Sequence, residues 1–286
     1  MRAPFRLMGV VNVTPDSFSD GGLFLDAKAA VAHGRELAAQ GADILDIGGE
    51  STRPGAEPVA ESEELRRVLP VIEGLAAGSD TQISIDTSKA AVARAALAAG
   101  ASLVNDVSAL RADPAMAGVV VEGGAQCCLM HMQGEPRTMQ RDPRYEDVVD
   151  DVRAFLEERL AFAVRAGVAE QRILLDPGIG FGKTLAHNLE LLARLEELTT
   201  LGRPLVVGTS RKSFLGRILA DAQGSEEPVP VAQRLPATLA TSVMAYERGA
   251  TVLRVHDVAP ARAALVVAAA TLGGRWGPAR TQTTRT

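Results

Sequence analysis

The chain has 286 residues, 47% of them hydrophobic and 23% charged, enough apolar material for one sizeable core under an ordinary solvated surface. The formal net charge is −5 and no dense basic run occurs, which argues against nucleic acid as a partner. Aromatic residues make up only 3% of the chain, so the core must be built from Ala, Val, Leu and Ile.

In chain order, short apolar runs occur at Leu7–Val11, Ile44–Ile47, Ile83–Asp86, Leu103–Asn105, Cys127–Met130, Ile173–Asp176, Leu205–Val207 and Val252–Val255. Each suits a strand buried on both faces. Between them lie helical patterns. Ala27, Ala30, Val31, Gly34, Leu37 and Ala38 recur at helical spacing, as do Leu65, Val68, Leu69, Ile72 and Ala76. Asp113-Pro114 predicts a helix start, with Asp as N-cap and Pro in the first turn. Two more helices are expected from Thr184 to Leu198 and from Pro230 to Arg248, with Pro236 kinking or delaying the second.

Strands alternating with helices imply a parallel sheet. The eight β–α units of this sequence suggest an α/β fold: a single-domain (β/α)₈ TIM barrel over residues 1–272, with its active site at the C-terminal ends of the strands. An open doubly wound sheet fits the same periodicity. The stretch 273–286, rich in Gly, Thr and Arg, is expected to be a disordered tail.

Cys127 and Cys128 are adjacent. Strand neighbours point to opposite faces, so they suit reduced, buried thiols better than a disulfide. The run Leu7–Val11 stops at Asn12, too soon for a signal-peptide core. Ala263–Ala270 falls far short of the roughly 18 residues a membrane span requires. The expectation is a cytoplasmic protein without a membrane partner.

The polar residues collect where the strands should end. Asn12 ends the first run, Gly48-Gly49-Glu50-Ser51-Thr52-Arg53 follows the second and Asp86 ends the third. Asn105-Asp106 ends the fourth, His131 the fifth and Asp176 the sixth, while Ser210-Arg211-Lys212 follows the seventh and Arg254 and His256 lie at the eighth. In a barrel these ends meet at one mouth. Singly, each has a bland reading: Asp86 as a helix cap, Asp106 as a turn former, Lys212 as a solvated lysine, Arg254 and His256 as partners of surface acids. All those readings would have to hold together.

The segment Asp176–Thr184 imitates a phosphate-binding loop, but Pro177 stands where the motif needs its first Gly. The dinucleotide fingerprint fails as well, because Lys183 occupies its last Gly position. What remains is a glycine-rich loop that lets backbone approach a flat ligand. Thr14–Gly22 and Glu50–Pro58 have the composition of lids. No HExxH pattern and no GxSxG elbow occurs, so the polar set suits binding a polar heterocycle and an anion better than zinc or covalent chemistry.

Two long segments, Met8–Gly22 and Gly48–Gly55, resemble the pterin-binding signatures of the dihydropteroate synthase family. Ile85–Lys89, Val104–Asp106, Leu129–Gly134, Asp176–Lys183, Ser210–Ser213 and Arg254–Asp257 are similar to further motifs of that family. The resemblance runs from about Leu7 to Leu272, with Ile179 as a small departure where many members carry Phe or Leu. It implies a (β/α)₈ barrel. It also implies an alkyl transferase that condenses 6-hydroxymethyl-7,8-dihydropterin diphosphate with p-aminobenzoate in folate biosynthesis.

By the resemblance, Asp86, Asn105, Asp176 and Lys212 would bind the pterin ring, with Met130 packed against it. Asn12, Thr52, Arg53, Arg254 and His256 would hold the diphosphate, and Asn12 would share in a Mg2+ site. Phe18, Pro54, Phe181, Lys212 and Ser213 would line the p-aminobenzoate pocket. Asp86, Lys212, Arg254 and His256 form the implied catalytic set, acting through a dissociative, Mg2+-assisted departure of diphosphate while the first lid excludes water. Sulfonamides would be inhibitors and the assembly a homodimer. A pterin-dependent methyltransferase and a non-catalytic pterin-binding paralogue remain as alternatives. The cluster Arg53, Arg254 and His256 and the Ser-Arg-Lys-Ser motif favour the synthase over the first.

Overall fold

The computed structural model describes residues 5–14, 27–52, 55–78, 80–135 and 137–273. Its parallel strands are β1 (Arg6–Asn12), β2 (Ile44–Gly48), β3 (Gln82–Asp86), β4 (Leu103–Asp106), β5 (Gln126–Met130), β6 (Ile173–Asp176), β7 (Leu205–Val207) and β8 (Ala250–Val255). They pair in sequence order and close into a barrel. Closure is made by β8 against β1, with Arg6 opposite Val252 and Met8 opposite Arg254. The expected TIM barrel is therefore the one formed, and the open sheet is not.

Around it lie α1 (Ala27–Ala39), α2 (Glu61–Ala76), α3 (Ala90–Ala98), α4 (Met116–Glu122), α5 (Val148–Arg165), α6 (Leu185–Ala193), α7 (Ser213–Gln223), α8 (Leu235–Glu247) and α9 (Val258–Gly273). Several ends depart from the sequence expectation. The helix foreseen from Thr184 to Leu198 stops at Ala193 and gives way to a 3-10 segment, Leu195–Leu201. Its start is as expected, because the Thr184 hydroxyl accepts from the His187 amide. Pro236 falls in the first turn of α8, where its missing N–H is harmless. The residues before it form a separate 3-10 turn, Val231–Gln233.

Asp113 does not cap the helix that follows it, since α4 begins only at Met116 with Ala115 as its N-cap. One Asp113 oxygen accepts from Ala115 N at 2.9 Å and the other from Ala90 N at 2.9 Å. The side chain thus caps α3 from outside. α9 includes Gly273, the first residue of the expected tail, and residues 274–286 lie outside the described residues.

Strand side chains alternate between two cores. Met8, Ile44, Leu103, Cys128, Leu174, Val206 and Val252 point inward and plug the barrel. Their neighbours Leu7, Leu45, Val104, Cys127, Ile173, Leu205 and Leu253 join the larger core under the helices. Cys127 and Cys128 thus lie in different cores, both buried and unbridged. Burial pushes the Cys127 thiol up to about 12 and the Cys128 thiol well above its usual value. Two residues beyond the plug the inward positions become Asp46, Asn105, Met130, Asp176 and Arg254, of which Asp46, Asn105, Met130 and Asp176 are buried. The fold thus sets a mostly polar tier on an apolar floor.

Leu103 is fully buried in that floor. Leu103→Ala is expected to lower the unfolding free energy by about 2–5 kcal/mol, read as a shift in the urea midpoint. A loss well below that range contradicts a dry, close-packed plug.

Candidate active site

The tier is tied across the barrel by one guanidinium. Arg254 on β8 donates from Nε to Asp46 Oδ2 on β2 at 2.6 Å, and from Nη2 to Asp86 Oδ2 on β3 at 2.8 Å. Asn105 on β4 donates from Nδ2 to the same Asp46 oxygen at 3.0 Å. Asp46 is fully buried, and its other oxygen has no hydrogen-bond partner among the described residues.

The charges set one another. Burial pushes Asp86 up to about 7, Arg254 pulls it down, and the nearby acids Asp46, Glu64 and Asp106 raise it. Burial opposes the charge on Arg254, but Asp46 and Asp86 overcome it and raise its pKa further.

Asp176 ends β6. Its Oδ1 accepts from Gly178 N at 2.7 Å, which shapes the following turn. Burial raises its pKa and Lys212 opposes that rise. Lys212 stands before the first turn of α7. Burial lowers it to about 8, against the pull of Asp176. Its ammonium donates to the Ile179 carbonyl and lies 4.6 Å from the centre of the Phe181 ring. That ring rests on a small apolar cluster of Val107, Met130, Met132 and Met139. Cations, acceptors and an apolar wall are therefore brought to one mouth.

Other expected residues sit at the rim. Asn12 is half-buried at the end of β1. A Cβ placed on Gly48 would lie 3.8 Å from both Asn12 Oδ1 and Asp86 Oδ2, so Gly48 stands between these two side chains. His256 Nδ1 lies 2.9 Å from Ser210 Oγ. Ser213 is exposed at the start of α7. Thr52 is half-buried and, with Glu50, Asp86, Ser108 and Arg111, lines a cleft of about 600 Å³. Phe18, Arg53 and Pro54, and most of the first lid, lie outside the described residues.

A family model described as "Pterin binding enzyme" matches residues 8–256. Dihydropteroate synthase of Escherichia coli K12 is 46% identical over 270 residues, covering 94% of this chain and 93% of that protein.

The chain belongs to the dihydropteroate synthase family.

Solved structures of dihydropteroate synthases superimpose closely. The Yersinia pestis protein, in a sulfonamide drug complex, gives a TM-score of 0.88 at 46% identity, covering 94% of this chain and 95% of that one. The Xanthomonas albilineans protein, with 4-aminobenzoic acid, gives 0.86 at 49% identity, covering 94% and 93%.

Against the residues inferred from the synthase resemblance, the structure adds two. Asp46 had a visible signal, a carboxylate in the middle of the apolar run Ile44–Ile47. Lys183 falls within the failed nucleotide motifs, yet it is 2% exposed and its amine lies 2.8 Å from His131 Nδ1. Burial first, then Lys183 and Arg111, lowers His131 to about 2, so it is a neutral imidazole. Asp106 is the turn former foreseen, accepting from Ser108 N at 2.7 Å and Leu110 N at 2.8 Å.

Asp86 yields a pH test. Its folded pKa of about 7 exceeds the ordinary value of 3.8, so between those limits the folded chain holds a proton that the unfolded chain has lost. Its contribution to stability is fully present below that window and is lost as pH rises through it. Urea unfolding at pH 4 and pH 8 should show the native protein losing stability relative to Asp86→Asn. A gap between the two proteins that does not change with pH contradicts the raised pKa.

Proposed function

We propose that the chain uses the polar tier as a dihydropteroate synthase, condensing 6-hydroxymethyl-7,8-dihydropterin diphosphate with p-aminobenzoate to give 7,8-dihydropteroate and pyrophosphate. The observation that carries this reading is the juxtaposition of buried Asp86, Asn105 and Asp176 with Lys212 and Arg254 above a closed apolar floor. A pterin edge presents donors beside acceptors, and carboxylates, an amide and an ammonium answer both. Met130 offers an apolar surface to the ring face. Asn12, Thr52, Arg53, Arg254 and His256 take the diphosphate. Phe18, Pro54, Phe181, the Lys212 stem and Ser213 take p-aminobenzoate.

The residues present fit Mg2+. Asn12 supplies one hard carbonyl oxygen at the mouth. Magnesium typically binds through one or two protein oxygens, with substrate phosphates and water completing the octahedron. Among the described residues no group of three His, Cys, Asp or Glu side chains could hold an ion, which suits a metal that arrives with the diphosphate. When bound, Mg2+ supplies positive charge to the leaving group.

The reaction course is dissociative. The bond between the pterin methylene carbon and the diphosphate oxygen breaks, and the electron pair leaves with the diphosphate. The positive charge left on the pterin spreads over its ring beside Asp86, whose ionised form Arg254 favours. Arg254 and His256 counter the negative charge of the departing group. The aniline nitrogen then forms the new C–N bond and gives up a proton to the medium. A neutral anilinic amine needs little help from a base.

The same reading includes a homodimer in the cytoplasm. Its support is the exposed apolar side chains Val266 and Val267 on α9, which would be covered in an assembly, together with buried, unbridged cysteines. No helix among the described residues is long and apolar enough to cross a membrane. No observation favours methyl transfer or a non-catalytic pterin-binding role.

Arg254→Ala is expected to lower kcat by about a hundred- to a thousand-fold, the usual effect of deleting one preorganised electrostatic group. Unaltered kinetics in the folded variant contradict its assignment. A sulfonamide should compete with p-aminobenzoate in steady-state inhibition, and a noncompetitive pattern contradicts the pocket assigned around Phe181 and Lys212.

A further inference from the structure

The segment after β6 is held in an unusual way. Five consecutive carbonyls, from Gly178 to Gly182, accept hydrogen bonds from side chains. Lys183 Nζ donates to Gly178 O at 3.0 Å and to Phe181 O at 3.0 Å. Lys212 Nζ takes Ile179 O, Gln140 Nε2 takes Gly180 O at 2.8 Å, and the Tyr145 hydroxyl takes Gly182 O at 2.7 Å. From the other side, Gly180 N donates to Asn188 Oδ1 at 2.6 Å.

Backbone geometry explains why side chains are needed. Gly178 and Gly182 have φ of 66° and 60°, a left-handed backbone that favours glycine, and Gly178 O also accepts from Phe181 N at 3.0 Å. They also lie flush on the chain that leaves β5. A Cβ on Gly178 would meet His131 O at 1.9 Å, and one on Gly182 would meet Gln133 O at 2.4 Å.

Lys183 is the inner clamp of this segment. Its amine is buried and touches two carbonyls of one loop and the Nδ1 of neutral His131. A flexible four-carbon stem is an expensive way to fill a core, and burial lowers its pKa well below the lysine range. What the arrangement achieves is geometric. It fixes the backbone on both sides of Ile179 and Gly180, so the Phe181 ring and the Ile179 carbonyl that receives Lys212 are set together.

We infer that Lys183 is a positioning residue for the p-aminobenzoate half of the site, acting through the loop that carries Phe181. Asp86 and Asn105, by contrast, are held by Arg254 and Asp46 on other strands. This inference rests on the synthase reading above, because p-aminobenzoate must be the second substrate.

The test uses the full chain with Lys183→Met and Tyr145→Phe, and reads both Michaelis constants with hydrogen exchange of the backbone amides. In Lys183→Met the KM for p-aminobenzoate should rise about ten-fold, the scale of one lost buried hydrogen bond. The KM for the pterin diphosphate should move far less, and exchange should quicken in 178–183 without spreading through the barrel. Tyr145→Phe, which releases the same segment at its outer end, should give a smaller change in the same direction. Equal changes in both KM values, or a folded variant with p-aminobenzoate KM and loop exchange unchanged, overturns the inference. If Lys183→Met does not fold, Tyr145→Phe decides by the same criteria. If the native protein makes no dihydropteroate, the synthase reading fails separately. The clamp is then judged by exchange alone, and unchanged protection at 178–183 in the variants overturns it.

Discussion

A single guanidinium spans the mouth of the barrel. Arg254 is anchored on β8, yet its two partners, Asp46 and Asp86, lie on β2 and β3. Two carboxylates share one cation above a floor that offers them no solvation, and burial pushes Asp86 toward its protonated form. Removing one member of such a group leaves the others buried and uncompensated, which is far more costly than the net worth of the pair. Asn105 holds Asp46, Asp46 holds Arg254, and Arg254 draws Asp86 toward its ionised form. The chemistry proposed for Asp86 therefore depends on residues from four strands.

A second, weaker couple stands across the mouth. Asp176 and Lys212 are each destabilised by burial and each favoured by the other. With the Arg254 group they give the site two sets of charged residues, the second beside the glycine loop. A flat ligand with polar groups along its edge can span both. The apolar cluster of Met130, Met132, Met139 and Phe181 then supplies a wall without competing for hydrogen bonds. A reactive cation formed there would meet few competing nucleophiles.

Much of this was legible in the amino-acid order. The apolar runs marked every strand to within two residues, because strands buried on both faces leave little room for polar side chains. The polar residues beyond them marked the mouth, since parallel strands in a barrel end on one side. Asp46 lies inside an apolar run, which marks it as unusual but does not name its partner. Its partner Arg254 is 208 residues away, and periodicity gives the facing direction of a side chain but not what it meets across a barrel. Lys183 was hidden for a different reason. A lysine beside glycines resembles a phosphate ligand, and only the fold shows its amine turned inward to His131 and two carbonyls. Helix ends are less legible at Asp113 and Leu198, where a cap serves a neighbouring helix and where a 3-10 segment replaces the last α turns.

The most direct measurement is product formation by the purified full chain, following pyrophosphate release and dihydropteroate together. Both products should appear in equal amounts, and only when pterin diphosphate, p-aminobenzoate and Mg2+ are all present. Binding of the pterin diphosphate without formation of dihydropteroate would contradict the proposed condensation.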